Sequence, residues 1–257
     1  HRRQHPSKKY AEGISGLVMD VKYGSGAFLR DYKPSRELAV ALMKTANLLG
    51  IRCVALLTAM EEPLGLAIGN GIEMEQSIKI LQGEKGPADF TEVLEVLAGW
   101  MIKLGGKART PDEGREKARR AIADGSALEK LRLMVKWQGG DPRVADDPVR
   151  HMPRAKFSAV AKAPASGFLY RLDARTIGHA SVVLGAGRGK AEDKVDFGAG
   201  LLLSAKLGDR LEKGAPLATI YSSDKKKLAE GVKMFMSAVE VKKSKPSKPK
   251  LIREILV

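Results

Sequence analysis

The sequence contains few of the residues that mark secreted, membrane-spanning or metal-binding proteins. Its 257 residues include a single cysteine, Cys53. One thiol forms no internal disulfide and, without a second cysteine, no cysteine-type zinc site, so the pattern fits a reducing cytoplasm. No stretch approaches the roughly 18 consecutive apolar residues that a membrane-spanning helix needs. The composition therefore predicts a cytoplasmic globular protein that does not cross a membrane.

Histidine and aromatic residues are also scarce. Aromatic side chains make up 5% of the chain, and the four histidines are His1, His5, His151 and His179. None of them lies in a recognisable catalytic triad, so no histidine is indicated as a base. The glycine-rich stretch 185–189 lacks the preceding strand and following helix of a dinucleotide-binding loop, and we interpret it as a connecting loop.

The net charge of +15 is concentrated at the two ends of the sequence. Residues 1–9 carry four basic side chains and no acid, and residues 225–257 carry ten basic side chains and three glutamates, so the ends hold 11 of the 15 charges. The lysine-rich stretch 242–250 has no aromatic residues between its lysines, unlike the stacking surfaces that bind single strands. We interpret this stretch as a solvated, flexible basic segment, with weak polyanion contact as the alternative; nucleic-acid binding is not favoured.

Local patterns predict an α/β protein. The apolar run 14–22 ends in a glycine turn and reads as a buried strand; 35–49 has helical spacing, with Ser35 as its N-cap; and 51–58 is a second strand. Strand, helix and strand in this order favour a mixed sheet with flanking helices. Further helices are predicted over 68–82, 88–104, 111–124 and 126–137.

After a stretch rich in glycine and proline, the sequence pattern changes from long helical segments to short strand-like runs. Short strands are predicted at 157–161, 167–172, 200–205 and 217–221, with one helix at 174–184, which together indicate a smaller C-terminal α+β domain. The predicted organisation is an α/β domain over 1–137, a linker over 138–153, an α+β domain over 154–241, and a basic tail with a final strand over 242–257.

Three segments carry the strongest functional signal. They are the basic 8–13 before the first strand, the strand and glycine turn 18–28, and the stretch 56–73 that leaves the second strand. The amino-acid sequences of these three segments resemble those of the thymidine and pyrimidine-nucleoside phosphorylases. The resemblance continues through 83–140, 184–188, Asp196 and 207–209.

The resemblance implies a reaction, a fold and an assembly. Such enzymes cleave thymidine or uridine with inorganic phosphate as co-substrate and release the free base and a pentose 1-phosphate. They combine an α/β domain with a smaller C-terminal α+β domain, as the residue patterns predict here. The resemblance also implies a small-molecule pyrimidine nucleoside as substrate and a homodimer.

The resemblance assigns roles to a few positions. Lys8 matches the lysine that binds the departing base, although Gln4 stands where the family has a serine and Pro6 interrupts a helix there. Some members hold a structural potassium ion; the matching ligands are the carbonyl oxygens of Leu64 and Ala67 and the side chain of Gln76, where the family has glutamate.

The family's phosphate-binding loop, its active-site histidine and its base-binding arginine lie upstream of the position of Lys8. We therefore expect no catalytic residue in this chain and interpret it as the C-terminal two-thirds of a longer phosphorylase, an interpretation that the absence of an initial methionine also favours. The alternative is an inactive fragment or remnant that acts as a structural or dimerising protein with weak polyanion binding. A weaker alternative is kinship to the anthranilate phosphoribosyltransferases.

Overall fold

A computed structural model describes residues 13–257. The strands are β1 (Gly16–Tyr23), β2 (Arg52–Ala59), β3 (Ala67–Ile68), β4 (Phe157–Lys162), β5 (Gly167–Leu172), β6 (Gly200–Leu203), β7 (Arg210–Leu211), β8 (Pro216–Ser222), β9 (Val239–Lys242) and β10 (Ile252–Leu256). The helices are α1 (Tyr32–Leu48), α2 (Asn70–Leu81), α3 (Ala88–Leu104), α4 (Pro111–Ala123), α5 (Ser126–Trp137), α6 (Pro148–His151), α7 (Ala174–Leu184) and α8 (Lys225–Ser237), with a 3-10 turn at Pro142–Ala145.

These elements form two compact units. Of the described residues, the first unit comprises 13–60, Ala88–Ala121 and Pro249–Val257, and the second comprises Glu61–Pro87 and Ile122–Lys248. The predicted fold class is confirmed, because a mixed sheet with helices is accompanied by a separate α+β region. The predicted domain boundaries stay predictions, since compactness alone does not show which segments fold on their own.

The first unit is built on a three-stranded mixed sheet in the order β1-β2-β10. β1 runs parallel to β2, and β10 runs antiparallel to it on the other side. β2 is buried along most of its length because it is the central strand, which explains its nearly continuous apolar sequence. Its residues Cys53 and Ala55 pack with Ala39 and Met43 of α1 in one hydrophobic cluster.

Helices α3 and α4 of the first unit approach each other through glycine. A Cβ atom added to Gly114 would lie 2.3 Å from the carbonyl oxygen of Gly99, and one added to Gly99 would lie 2.6 Å from that of Pro111. Neither position has room for a side chain, so these two glycines permit the close helix contact. At the end of α3, Arg52 of β2 donates to the carbonyl oxygen of Leu104 at 2.7 Å.

Strand β10 is held to α1 by hydrogen bonds between polar and charged side chains. Arg36 donates two hydrogen bonds to Glu254, at 2.8 and 3.0 Å, and the hydroxyl of Tyr32 donates to the same carboxylate. The guanidinium of Arg253 lies 3.8 Å from the centroid of the Tyr32 ring. This side-chain cluster complements the backbone pairing of β10 with β2.

The second unit contains two antiparallel sheets. One has the order β3-β6-β8-β4 and the other the order β7-β5-β9. Helices α7 and α8 contribute Ile177, Leu184 and Phe235 to a core shared with β6 and β8. Gly231 of α8 lies against Leu184, where a Cβ atom would come within 2.4 Å of the leucine side chain.

The structure corrects the predicted start of α1. The helix begins at Tyr32 after Asp31, and Ser35 lies inside its first turns rather than at the N-cap. The Ser35 side chain is fully buried, and its hydroxyl donates to the carbonyl oxygens of Leu29 and Asp31. A serine can satisfy its hydroxyl on a preceding carbonyl within a helix, so its type alone did not identify the cap.

Several further elements went unrecognised in the sequence, and the largest of them lie near the C-terminus. Helix α8 and strand β9 fill much of a region that we considered mainly for its charge, and Asp224 caps α8 by accepting from the backbone N–H groups of Lys226 and Lys227. The predicted linker 138–153 also contains structure, since Asp141 and Asp147 cap the 3-10 turn and α6. The predicted final strand is present as β10. Within residues 13–257, no helix has the length and apolarity that a membrane crossing requires.

Candidate functional site

The predicted site residues fall into two groups. Lys8 lies outside the described residues, so its role as a base-binding lysine stays a prediction. Leu64, Ala67 and Gln76 belong to the second unit. In the first unit, functional groups are best sought at the carboxyl ends of β1 and β2, because parallel strands present their active loops at that edge.

A polar cluster lies near that edge of the first unit. The buried hydroxyl of Thr58 on β2 donates to Asp20 on β1, and the ammonium of Lys22 donates to the other oxygen of Asp20 at 2.6 Å. The side chains of Lys22 and Asp20 are 23% and 21% exposed. Asp20 therefore holds the Lys22 ammonium in a defined place that solvent still reaches.

The glycine turn after β1 is held by backbone hydrogen bonds. The N–H of Gly24 donates to Arg30 at 2.8 Å, and the N–H of Gly26 donates to Met60, the residue after β2, at 2.9 Å. Gly24 has a φ of 111°, a conformation that favours glycine. The turn presents Phe28, whose side chain is 82% exposed.

In the second unit, Gln76 of α2 lies against the segment 61–67, which we call the 61–67 turn. Its side-chain oxygen accepts hydrogen bonds from the N–H groups of Leu66 and Ala67, at 3.1 and 3.2 Å. An amide oxygen has two lone pairs. Both are engaged by these N–H donors, so Gln76 has no lone pair left for a cation. The predicted potassium site stays a prediction, and the hydrogen bonds of Gln76 count against it.

A positively charged side chain, that of Lys206, lies at this turn. The ammonium of Lys206 donates to the carbonyl oxygens of Pro63 and Gly65, the latter at 3.1 Å. The Glu62 carboxylate lies 3.4 Å from the same ammonium and accepts from the backbone N–H of Leu207 at 2.8 Å. Sequence reasoning missed Lys206 and Glu62, because residues so far apart in the chain carry no local signal of contact.

The second unit also has a charged cleft of about 310 Å³. The carboxylate of Glu75 in its wall forms salt bridges with the ammonium of Lys79 and the guanidinium of Arg154, each with an N–O distance of 2.7 Å. Burial raises the pKa of Glu75, but the hydrogen bonds from these two cations outweigh it, so its pKa lies below the ordinary 4.5. Glu75 thus pairs with two cations, and these three side chains together carry a net charge of +1.

Cys53 and the acidic side chains of residues 13–257 are the further candidates for a reactive or metal-binding site, judged by their burial and their spacing. Burial raises the pKa of the Cys53 thiol to about 11, so it is protonated and unreactive at neutral pH. Among residues 13–257, no group of three or more histidine, cysteine, aspartate or glutamate side chains is placed to hold a metal ion. The loop at 185–189 is a connecting loop, as predicted.

Comparison with known proteins decides the family. A model described as "Glycosyl transferase family, a/b domain" matches residues 6–128, and one described as "Pyrimidine nucleoside phosphorylase C-terminal domain" matches residues 168–242. The chain is 39% identical over 251 residues to a pyrimidine-nucleoside phosphorylase of Staphylococcus aureus strain MSSA476, with 98% of this chain covered. It is 40% identical over 250 residues to that of strain USA300, with 97% covered. The chain belongs to the pyrimidine-nucleoside phosphorylase family.

Membership confirms the predicted family and the predicted class, glycosyl transfer. The chain spans 57% of the length of these phosphorylase relatives. The two matched domains follow one another in the order that the sequence predicted, α/β first and α+β second. Polar side chains of this chain are held in defined positions at two places. These are the carboxyl end of β1, with Asp20 and Lys22, and the 61–67 turn, with Glu62, Gln76 and Lys206.

Proposed function

We propose that this chain acts in the phosphorolysis of pyrimidine nucleosides, in which thymidine or uridine and inorganic phosphate give the free base and a pentose 1-phosphate. The observation that supports it most strongly is the 39% identity to a pyrimidine-nucleoside phosphorylase across 98% of the chain. The activity belongs to a protein in which this chain supplies the α/β and C-terminal domains. We propose a homodimer in the cytoplasm, with phosphate as the co-substrate.

The chemistry needs a positive charge beside the departing base. Cleavage of the N-glycosidic bond leaves negative charge on the pyrimidine, and a fixed cation near its oxygens lowers the barrier. We assign this role to Lys8 by its match to the family motif. The exposed ring of Phe28 is suited to contact the base face, and Asp20 is suited to hold Lys22 at the same strand edge.

Potassium is not part of this proposal. The engaged oxygen of Gln76 and the neutral amide that replaces the family's carboxylate both argue against a bound monovalent ion. No residue of this chain is proposed as a general acid or base.

The second candidate is a non-enzymatic remnant that keeps the scaffold as a structural or dimerising protein. Gln4 and Pro6 favour it, because they replace family features next to Lys8. The lysine-rich stretch 242–250 would then supply weak polyanion contact. The two candidates differ in one observable property, phosphate-dependent release of base.

The test follows release of uracil or thymine by chromatography. The purified chain is incubated with uridine or thymidine, with and without phosphate. A chimera that carries the upstream part of the Staphylococcus aureus relative before His1, and therefore keeps Arg3, Gln4, Pro6 and Lys8 of this chain, is assayed in parallel. We expect phosphate-dependent release from the chimera and at least a tenfold lower turnover after Lys8→Ala, since one well-placed transition-state contact contributes about 10²–10³ in rate.

Arg3→Ala in the same chimera is the matched control, because it removes a nearby charge without touching the motif. A folded chimera that releases no base would favour the remnant. Unchanged turnover after Lys8→Ala would leave phosphorolysis standing but remove the role assigned to Lys8.

A further inference from the structure

The three-stranded sheet β7-β5-β9 of the second unit has one face in the hydrophobic core and one face turned away from it. The inward residues are Leu169 and Leu172 of β5, Leu211 of β7, and Val239 and Val241 of β9. Successive side chains of a strand point to opposite faces, and a bulge in β5 places two residues between Leu169 and Leu172. The remaining residues form what we call the outer face, and they are Phe168, Tyr170, Arg171, Arg210, Glu240 and Lys242.

Phe168 occupies the centre of the outer face, between two cations. In the register of the sheet its direct neighbours are Arg210 of β7 and Lys242 of β9. The ammonium of Lys242 lies 3.9 Å from the centroid of the Tyr170 ring. The two aromatic side chains are half-buried, whereas Arg210 and Lys242 are exposed. Two aromatic rings therefore lie beside cations that solvent reaches.

The lysine-rich stretch after β9 returns to the same sheet. A Cβ atom added to Gly208, in the turn before β7, would lie 2.9 Å from Cε of Lys248. The lysines that follow β9 thus reach the turn that leads into β7. The sequence alone shows no aromatic residue between these lysines, but the fold places Phe168 and Tyr170 of a neighbouring strand next to Lys242.

Positive charge dominates this region, although some of it is paired. Glu240 lies 3.2 Å from Lys242 and 4.0 Å from Arg171. Residues 168–171, 209–212 and 240–248 together carry six basic and three acidic side chains, a net charge of +3. The outer face and the stretch that follows β9 are therefore complementary to an anionic partner.

The chemistry of the outer face fits a single-stranded nucleic acid. Basic side chains pair with phosphates, and aromatic rings stack on unpaired bases, a combination that binds single strands with little sequence preference. A duplex offers phosphates but keeps its bases stacked on one another. An anionic membrane is favoured by large apolar side chains that insert into it, and none of the six outer-face residues is a large hydrophobic side chain with high exposure.

We propose that the outer face of β7-β5-β9 and the lysine-rich stretch after it bind single-stranded nucleic acid. Bases stack on Phe168 and Tyr170, and phosphates pair with Arg210, Lys242 and the lysines that follow. These residues have no assigned part in phosphorolysis, so the proposal stands or falls separately from the proposed function.

The first experiment measures binding of the full chain to a fluorescent oligodeoxyadenylate of about twelve nucleotides by fluorescence anisotropy. A purine oligonucleotide is chosen because it does not resemble the proposed pyrimidine substrates. We expect a dissociation constant in roughly the micromolar range at low salt. A plot of log K against log salt should have a slope of about −2 or steeper, because about three or more phosphates are neutralised. A duplex of the same length should bind at least about fivefold more weakly, because its bases are not free to stack.

The second experiment removes the aromatic rings and keeps the charges. Phe168→Leu combined with Tyr170→Leu should weaken binding of the oligonucleotide at least about fivefold, since stacking on one base already contributes that much. Phe197→Leu is the matched control, because it removes a ring that is 56% exposed elsewhere in the second unit, and it should bind like the unmodified chain. Circular dichroism shows that each variant is folded.

The third experiment removes two charges and keeps the rings. Arg210→Gln combined with Lys242→Gln should weaken binding at least about fivefold and make its salt dependence shallower. Lys33→Gln combined with Lys44→Gln removes the same total charge from exposed positions of α1 and should have little effect. Equal losses in the two charge variants would show attraction by overall charge and would overturn the proposal.

Three further results would also overturn it. The first is a folded Phe168→Leu and Tyr170→Leu variant that binds the oligonucleotide as the unmodified chain does. The second is equal affinity for the duplex and the single strand. The third is binding to phosphatidylserine vesicles without binding to the oligonucleotide, which would identify a membrane surface as the partner.

Discussion

The hydroxyl of Thr58 on β2 donates to the carboxylate of Asp20 on β1, so the two parallel strands are joined by side chains as well as by their backbones. Thr58 is fully buried, and Asp20 uses its second oxygen to hold Lys22 at 2.6 Å. One buried hydroxyl thereby helps to orient a carboxylate and, through it, an ammonium group. β1, which carries Asp20 and Lys22, leads directly into the glycine turn.

Replacing Thr58 by valine should destabilise the first unit. The change keeps the shape of the side chain but removes the donor to Asp20, which costs about 1–3 kcal/mol when a polar group loses its partner in a buried site. Urea unfolding measures the loss. Thr45→Val is the control, since the Thr45 hydroxyl lies on the exposed surface of α1 and its removal should change stability by under about 0.5 kcal/mol. Equal effects of the two changes would contradict the role given to Thr58.

The contact between α3 and α4 should not tolerate a methyl group. Gly114→Ala places a Cβ atom 2.3 Å from the carbonyl oxygen of Gly99, so the helices must move apart at a cost of about 1–3 kcal/mol. Gly178→Ala is the matched control in α7, because nothing lies within 4 Å of its added Cβ. That control should gain about 0.5–1 kcal/mol from lower chain entropy. Stabilisation of both variants in urea unfolding would show that the helices can separate freely.

Acid should destabilise the second unit partly through Glu75. Since its folded-state pKa is lowered below the ordinary 4.5, its contribution is present above that value and is lost as pH falls through the folded-state pKa. Glu75→Gln should therefore reduce stability at neutral pH and shrink the loss of melting temperature between neutral pH and about pH 3. Glu84→Gln, which removes an exposed carboxylate from the same cleft, is the matched control for the loss of one negative charge. A Glu75→Gln profile that parallels the unmodified chain would argue against this coupling.

Cys53 should report on unfolding of the first unit. The thiol is buried in β2 and its pKa is raised to about 11 by burial, so the reactive thiolate is scarce in the folded state. Labelling with a thiol reagent at pH 8 should be at least about tenfold slower than in urea. Rapid labelling of the folded chain would mean that β2 opens readily. Mass spectrometry of the labelled chain measures both rates.

Much of the secondary structure could be predicted because its signals are local. The strands β1, β2 and β5 and the helices α3, α5 and α7 follow from apolar spacing within a few residues. A glycine comes directly after β1, α3 and α7 and marks their ends. Ser35 was misread because a serine near a helix start serves equally well as a cap or as an internal donor. Helix α8 was missed because three consecutive lysines after Asp224 conceal its apolar face, which contributes Leu228 and Phe235 to the core.

The sequence by itself determined the family, the α/β and α+β classes and the order of most elements. Sequence motifs and hydrophobic periodicity are local signals, so they can be recognised without knowing which distant segments meet. Only the tertiary structure decided which distant groups meet. The contacts of Lys206 with Pro63 and Gly65, of Gln76 with the 61–67 turn, and of Arg36 with Glu254 all join separate segments. Such pairings depend on how the chain folds back on itself, and a residue's type states its charge and donors but not the partner that will satisfy them.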